Sequence, residues 1–268
     1  MFSFKKIVEQ IKTNKKNFVI YSILRLSVLI ILIRTLIVKN YEASFVCILS
    51  LILFLIPAFI ETNFHIDIPN GLEITIYLFI YAAEILGELG NFYTHFYWWD
   101  TMLHTINGFI CAAVGFSLVD LLNKNSKEIH LTPLYLSVVA FCFSMTIGTL
   151  WEFGEYALDH ISKNDAQRDI VIKDFTSYDL DARHLDAKYS GIIDHTEIIL
   201  ENGETIVIED GYLDVGLNDT IKDMFVNFVG AIIFSIIGYF YVEKRRNKII
   251  IDTLVPRTIK DNKDKENA

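Results

Sequence analysis

Cysteine is scarce in this chain, and the short motifs of common enzyme classes are absent. The three cysteines, Cys47, Cys111 and Cys142, fall inside apolar stretches without CxxC spacing, so neither a disulfide framework nor a zinc ribbon is indicated. The sequence has no glycine-rich phosphate loop, no GxSxG elbow and no HExxH pair. The formal net charge is -9. The acidic segment 159–219 lacks the cluster of lysines and arginines that is typical of a nucleic-acid-binding surface, so nucleic acid is not an expected partner.

Long apolar stretches dominate what is present. Hydrophobic residues make up 52% of the 268 residues, and the mean hydropathy of +0.36 is well above that of an ordinary soluble domain. Two stretches, Leu26–Ile37 and Phe45–Ile60, are apolar nearly all round, whereas helices of a soluble bundle carry a polar stripe. Spans of about 20 residues cross a bilayer. The predicted fold is an all-α polytopic membrane bundle with six spans, at 18–38, 43–60, 72–91, 101–122, 134–158 and 224–242.

Lysine and arginine mark one side of this bundle. They cluster in 5–16, 124–127 and 244–248, and short basic flanks of membrane helices stay in the cytoplasm. The turn at 61–71 falls on the same side but has no lysine or arginine. The first stretch is too long for a secretory signal and lacks a cleavage site, so we expect it to be retained. The predicted organisation is a basic cytoplasmic N-terminus (1–17), a membrane domain (18–243) and a basic, polar cytoplasmic tail (244–268).

An acidic insertion at 159–219 lies outside the cytoplasm in this orientation. Two β-rich runs in it, Thr196–Leu200 and Thr205–Ile208, flank an Asn-Gly pair that favours a type I′ turn. We therefore predict a small external β-hairpin between helices five and six. Residues 165–190 show no clear period and are predicted to be a loop. The polar end of the chain, 252–268, is predicted to be disordered.

Polar and ionisable residues gather at or just beyond the outer ends of four of the spans. Spacings of three or four residues place them on one face of each helix. The sets are Glu84 and Glu88 on span three, Asp100 and His104 on span four, Glu152 and Glu155 on span five, and Asp219, Asp223 and Asn227 on span six. At about 1.5 Å per residue, His104, Asp223 and Glu152 lie roughly 6–9 Å inside the outer boundary and are expected to meet, whereas Glu84 lies deeper.

Helix capping competes with a functional role for some of these residues. For Asp100 and Asp219, at the starts of spans four and six, capping and function are equally good interpretations. Capping does not explain His104, Glu152 or Asn227. A charged group at bilayer depth costs at least about 2.5 kcal/mol, so such groups face the protein interior, pair, or serve function.

The carboxylates outnumber the cations that are available to pair with them. Ionised together in a low dielectric they would repel one another, so either several hold protons or pair, or a metal neutralises them. Oxygen-rich ligands with one imidazole and no thiolate suit Mg, Mn or Ca, with Zn as an alternative. The candidate metal ligands are Asp100, His104, Glu152 and Asp223. Arg34, near the outer end of span one, is expected to pair with Glu84 or Glu88 rather than to bind an anion.

Three segments resemble the YjdF-like bacterial membrane proteins. They are Phe96-Tyr-Trp-Trp-Asp-Thr-Met-Leu-His-Thr-Ile-Asn-Gly-Phe109, Gly148-Thr-Leu-Trp-Glu-Phe-Gly-Glu-Tyr156 and Gly211-Tyr-Leu-Asp-Val-Gly-Leu-Asn-Asp-Thr-Ile-Lys-Asp-Met-Phe-Val-Asn-Phe-Val-Gly-Ala231. More distantly, the order Asp-x-x-x-His, a Glu-led helix and Asp-x-x-x-Asn-x-x-Gly is similar to the VanZ-like membrane proteins, some of which are linked to teicoplanin resistance. Glu155 departs from that pattern, which tends to have Gln. The resemblance covers about the last four spans and implies a bacterial envelope protein with an important polar cluster, but no reaction.

Three functions remain open. In the enzymatic one, a metal activates water against a lipid or related envelope substrate, with Glu155 as the base and Asp100 as a second catalytic candidate. In the second, the cluster binds or transports a cation or a proton, although the inner halves of spans four to six are nearly free of charge apart from Asp120. In the third, the protein is an envelope scaffold whose acidic external segment recruits a protein or lipid.

Overall fold

The computed structural model is mostly helical, with a small region of antiparallel strands. It describes residues 15–64, 66–125, 131–163, 165–180, 187–244 and 257–258. Most of the predicted basic N-terminus and of the predicted cytoplasmic and disordered tail lies outside the described residues, as does part of the predicted loop.

Shorter helices make up the first half of the described chain. They are α1 (Lys15–Ile37), α2 (Tyr41–Leu53), α3 (Ile56–Phe64), α4 (Asn70–Ile80), a π-helix (Tyr81–Leu89) and α5 (Phe92–His95). Asn40 caps α2, because its side-chain oxygen accepts a hydrogen bond from the Ala43 backbone nitrogen (3.1 Å). Val28, Phe54 and Tyr77 are buried together and join α1, the end of α2 and α4 in one apolar core.

Three long helices make up the second half: α6 (Trp99–Asn125), α7 (Pro133–Ser162) and α8 (Leu217–Lys244). Pro133 stands at the first position of α7, where its missing N–H removes no helical hydrogen bond. A second core is formed by fully buried side chains that include Ala112, Phe116, Ala231 and Phe234. The alanines let the helix backbones approach closely, and the phenylalanines fill the remaining space.

Five helical segments of the described chain are long and apolar enough to cross a membrane. They are Phe18–Ile37, Tyr41–Asn63, Trp99–Asn123, Pro133–Ile161 and Leu217–Glu243, and each overlaps a predicted span. The predicted third span, 72–91, is not among these five. Its residues form α4 and then the π-helix, so the segment is helical but changes its hydrogen-bond pattern at Tyr81.

Each described strand pairs antiparallel with one other strand. The pairs are β1 (Ile66–Asp67) with β8 (Arg257–Thr258), β2 (Asp169–Ile172) with β7 (Tyr212–Val215), β3 (Asp174–Ser177) with β4 (Tyr189–Ile192), and β5 (His195–Ile199) with β6 (Thr205–Glu209). The β5–β6 pair forms a hairpin at the predicted residues. Its turn is not the predicted type I′, because Gly203 has φ +83° but Asn202 is not among the described residues with positive φ, and a type I′ turn needs both. The prediction of a loop at 165–190 is wrong, because β2, β3 and the start of β4 lie there. β2 pairs with the distant β7, whereas β3 pairs with the nearby β4. All three strands are only four residues long, which is too short for a clear alternating pattern.

The chain divides into two compact units, Met1–Gly148 with Phe225–Ala268, and Thr149–Met224. The first unit contains α1 to α6, the start of α7, most of α8 and both apolar cores. The second contains the end of α7, strands β2 to β7 and the first two turns of α8.

Candidate functional site

Helix α6 presents a carboxylate and an imidazole on one face in its first two turns. Asp100 Oδ1 lies 3.5 Å from His104 Nε2 across the i, i+4 spacing. The Asp100 and His104 side chains are 14% and 10% exposed, so both are largely withdrawn from the surface. The helix geometry therefore holds the imidazole ring against a fixed acid, which orients it.

Helix α8 carries a row of polar residues spaced by four. Asp219, Asp223 and Asn227 are all buried, at 3%, 1% and 1% exposure. Lys222 contributes a cation beside this row, with Nζ 3.0 Å from Asp219 Oδ1 and 3.6 Å from Asp223 Oδ1. Two buried carboxylates on this helix are thus close to a single ammonium group.

Asp100, His104 and Asp223 form a buried group of the kind that holds a metal ion. Each offers one ligand atom, and these atoms all lie within 4.8 Å of one another. Two carboxylate oxygens and one imidazole nitrogen suit a hard or borderline divalent cation. The structure therefore brings together three of the four predicted ligands, all except Glu152.

An amide layer lies one turn further along α6 and α8. Asn107 Nδ2 donates a hydrogen bond to Asn227 Oδ1 (3.2 Å), and Asn227 Nδ2 is 3.7 Å from Met145 Sδ on α7. Glycines make room for this layer. A Cβ atom on Gly148 would stand 2.6 Å from Asn227 Nδ2, and one on Gly108 would overlap the Asn227 carbonyl oxygen. The close approach of the three long helices therefore depends on glycine at both positions.

Helix α7 carries the two glutamates predicted for the site. Glu152 is 3% exposed and lies one turn after Gly148, on the same face of the helix. Among the described residues, Glu152 is not part of the group formed by Asp100, His104 and Asp223. Glu155 is half-buried, and its Oε1 accepts a hydrogen bond from Trp151 Nε1 (2.7 Å). Since Trp151 is 53% exposed, this contact holds Glu155 on the exposed side of α7.

Asp100 and Asp219, for which capping was one of two interpretations, are not at cap positions. Helix α6 begins at Trp99 and α8 at Leu217, so Asp100 and Asp219 lie inside the first turns. Asp219 Oδ2 accepts a hydrogen bond from the Arg168 backbone nitrogen (3.0 Å). Its carboxylate therefore ties the segment before β2 to α8 instead of capping its own helix.

The remaining predicted site residues lie elsewhere in the described chain. Glu84 is half-buried and Glu88 exposed on the π-helix, where hydrogen bonds join residues five apart, so the predicted α-helical face of span three is altered. Arg34 is exposed near the end of α1. Among the described residues, the Arg34 side chain forms neither the predicted ion pair with Glu84 or Glu88 nor a hydrogen bond.

Two residues of the amide layer, Met145 and Gly108, were not predicted from the sequence. A methionine and a glycine inside an apolar helix are usually packing residues, so Met145 and Gly108 gave no chemical signal. The available signal was spacing. Gly108 follows His104 by four residues and continues the polar face of α6.

Comparison with known proteins assigns the chain to a family. A family model described as "Predicted membrane protein (DUF2238)" matches residues 20–244. The chain belongs to this family. The match confirms the resemblance to YjdF-like membrane proteins. The chain is also 26% identical over 105 residues to an "Uncharacterized protein" of Thermotoga maritima. The matched region is 39% of this chain and 53% of that relative, so the chain spans about half of the relative's length. No solved structure matches.

Proposed function

We propose that this membrane protein holds a divalent cation on Asp100, His104 and Asp223. The observation that carries the proposal is the convergence of three buried ligand atoms within 4.8 Å. Buried carboxylates at such separations repel each other unless a proton or a cation lies between them. The donor set favours Mg, Mn or Ca, with Zn as the alternative, and leaves positions open for water or substrate.

A catalytic role at this cation is the first candidate function. A bound divalent ion lowers the pKa of its water ligand and polarises an ester or phosphoryl oxygen. Asp100 orients His104 and is itself a candidate acid or base, since its oxygen lies 3.5 Å from the ring. Glu152, on the face of α7 that carries Gly148, is a candidate additional ligand. Glu155 is the predicted general base, but its hydrogen bond to Trp151 holds it on the exposed side of α7, so the geometry does not favour this role. The proposed substrate class is an envelope lipid or a related molecule that reaches the outer face of the plasma membrane.

A cation-binding or transport role is the second candidate, and the core below the site argues against passage through the bundle. Ala112, Phe116 and Phe234 are fully buried in one apolar cluster. The next buried carboxylate on α6 is Asp120, about 20 Å along the helix from Asn107 at 1.5 Å per residue. Helix α6 has no charged residue between Asn107 and Asp120, and the buried hydroxyls of Ser117 and Ser144 donate to backbone carbonyls. The lack of charged groups over that length opposes ion movement, which favours a site that is used from one side only.

A structural role is the third candidate. The ammonium of Lys222 is 3.6 Å from Asp223, so the cluster can exist as an ion-paired core that orders the bundle. In this case the acidic external segment is the functional part, and it recruits an envelope protein or lipid.

The proposed topology has six spans and places the site at the outer face of a bacterial plasma membrane. Strand β1 follows the second span and pairs directly with β8, which follows the last span. Paired strands lie on one side of the membrane, so the chain crosses it an even number of times between them. Helices α6, α7 and α8 give three crossings, and the segment of α4 and the π-helix supplies the fourth. The basic flanks of the helices then put both termini in the cytoplasm.

Manganese binding by the detergent-purified protein tests the metal site. We expect one bound Mn²⁺ per chain by electron paramagnetic resonance, with affinity weakened at least tenfold in His104→Gln and Asp223→Asn, because loss of an outer-shell partner alone costs about 10- to 100-fold. Glu201→Gln, which removes an exposed carboxylate in the β5–β6 turn, is the matched control and should bind as wild type does. Wild-type protein that binds no Mg, Mn, Ca or Zn would overturn the metal site and leave the ion-paired core.

A further inference from the structure

Lys222 occupies an unusual position for a residue next to a candidate metal ligand. Its Nζ lies 3.0 Å from Asp219 Oδ1 and 3.6 Å from Asp223 Oδ1. The Asp219 and Asp223 side chains are 4% and 2% exposed, while the Lys222 side chain is 39% exposed. One flexible, partly solvated cation is therefore shared by two buried carboxylates, one of which is Asp223 of the proposed site.

The Lys222 ammonium group and a divalent ion would compete for the Asp223 carboxylate. An ammonium group and a divalent ion within a few ångströms of the same carboxylate repel one another, and the repulsion is strong where water is excluded. A lysine has a compact charge on a four-carbon stem, so it can move away more easily than an arginine held by a planar fork.

The structure also provides a place for the displaced lysine. The shorter of the two contacts already joins Lys222 to Asp219, one turn earlier on α8 than Asp223. Asp219 is not part of the metal-ligating group among the described residues. Its carboxylate also accepts a hydrogen bond from the Arg168 backbone nitrogen, which fixes its position. Lys222 can thus leave Asp223 without losing a buried counter-ion.

We propose that Lys222 is a built-in competitor of the divalent cation. It neutralises Asp223 when no metal is bound and moves wholly to Asp219 when the metal binds. This inference rests on the proposed metal site and adds a regulatory element to it: the lysine sets the affinity of the site and keeps its carboxylates compensated between binding events. The ligand is a divalent cation both in the proposed metal site and in the proposed competition with Lys222.

Mn²⁺ titration of two opposed variants tests the competition. Lys222→Met removes the competing charge and should tighten Mn²⁺ binding about three- to tenfold, a modest factor because the lysine is partly solvated. Asp219→Asn removes the alternative counter-ion but keeps an acceptor for the Arg168 nitrogen, so Lys222 turns to Asp223 and binding should weaken by a similar factor. Lys222→Arg keeps the charge but leaves a carboxylate less readily than lysine, so it should bind Mn²⁺ no more tightly than wild type and thereby separates the effect of charge from that of side-chain replacement.

The outcomes separate the competitor from the metal site itself. If wild type binds Mn²⁺ and Lys222→Met binds it with equal or weaker affinity, Lys222 is not a competitor, but the metal site is retained. No Mn²⁺ binding by wild type, Lys222→Met or Lys222→Gln overturns the metal site and the competitor with it. Lys222→Gln also replaces the methionine variant if that variant does not purify as a single species with the wild-type thermal unfolding curve.

Discussion

The side-chain amide of Asn107 on α6 donates a hydrogen bond to the side-chain oxygen of Asn227 on α8, at 3.2 Å. Asn107 is half-buried and Asn227 is 1% exposed. Each asparagine lies one turn beyond a member of the candidate metal group, His104 or Asp223. The amide pair therefore fixes how the two helices face each other just where the ligands are presented.

A double-mutant cycle on this pair should show direct coupling. Asn107→Ala and Asn227→Ala each remove one partner, and the coupling free energy should be about 0.6 kcal/mol and at most about 1.7 kcal/mol, the range found for hydrogen bonds between membrane helices. The measurement is the free energy of unfolding in mixed detergent. A cycle of Asn107→Ala with Thr146→Ala, whose hydroxyl bonds to Cys142 of its own helix, should show none. Equal coupling in both cycles would contradict a direct contact.

Alanine at the glycines of the layer should destabilise the bundle. A Cβ on Gly108 meets the Asn227 backbone, which cannot move aside, so Gly108→Ala should lower the free energy of unfolding by about 1–3 kcal/mol. Gly154→Ala is the matched control, because a Cβ there has no neighbour within 4 Å, and it should be neutral or slightly stabilising. Thermal unfolding in detergent measures both. A neutral Gly108→Ala would show that α6 and α8 are not in close contact.

Cysteine labelling tests the proposed six-span topology. In a variant without the three native cysteines, Glu201→Cys in the β5–β6 turn should react with an impermeant maleimide added to intact cells. Asn70→Cys, at the start of α4, should react only after the cytoplasmic membrane is opened. The same labelling pattern at both positions would place them on one side and rule out an odd number of crossings between them. The variant without cysteines supplies the background signal.

His195 should titrate at higher pH than an isolated histidine. Its Nδ1 lies 2.9 Å from Asp194 Oδ2, and this hydrogen bond, with the charges of Asp194, Glu197 and Glu209, raises the pKa of His195. Because the folded-state pKa is raised, the stabilising contact is fully present below the unfolded-state pKa and is lost as the pH rises through the folded-state value. Nuclear magnetic resonance titration measures the midpoint.

Asp194→Asn is the informative variant for that titration. It should lower the His195 midpoint towards the ordinary value, whereas Glu201→Gln at the hairpin turn should leave it nearly unchanged. If the midpoint is the same in wild type and Asp194→Asn, the contact with Asp194 does not persist in solution.

Much of the membrane architecture was predictable because it depends on composition over about 20 residues at a time. Five candidate spans follow from apolar length, and the pairing of β5 with β6 follows from two β-rich runs around a short turn, although the type I′ turn was predicted wrongly. The strands β2, β3 and β4 were not predictable. Each of β2 and β7 is only four residues long, and they pair across about 40 intervening residues, so neither strand carries a recognisable local pattern.

The polar residues of the site were recognisable for the same local reason. The i, i+4 spacing of Asp100 with His104 and of Asp223 with Asn227 is enough to place each pair on one helix face. Helix spacing says nothing, however, about which faces of different helices meet. The expected partnership of Arg34 with Glu84 or Glu88 failed for that reason.

Hydropathy and helical periodicity are local properties, so they sufficed to predict a helical membrane protein and the turn of each helix that carries its polar residues. The three-dimensional structure was needed to show that Asp100, His104 and Asp223 converge, that Glu155 bonds to Trp151, and that Lys222 is shared between two aspartates. These outcomes depend on the rotation of each helix about its axis. Side-chain packing between helices sets that rotation, at places such as Gly108 against Asn227.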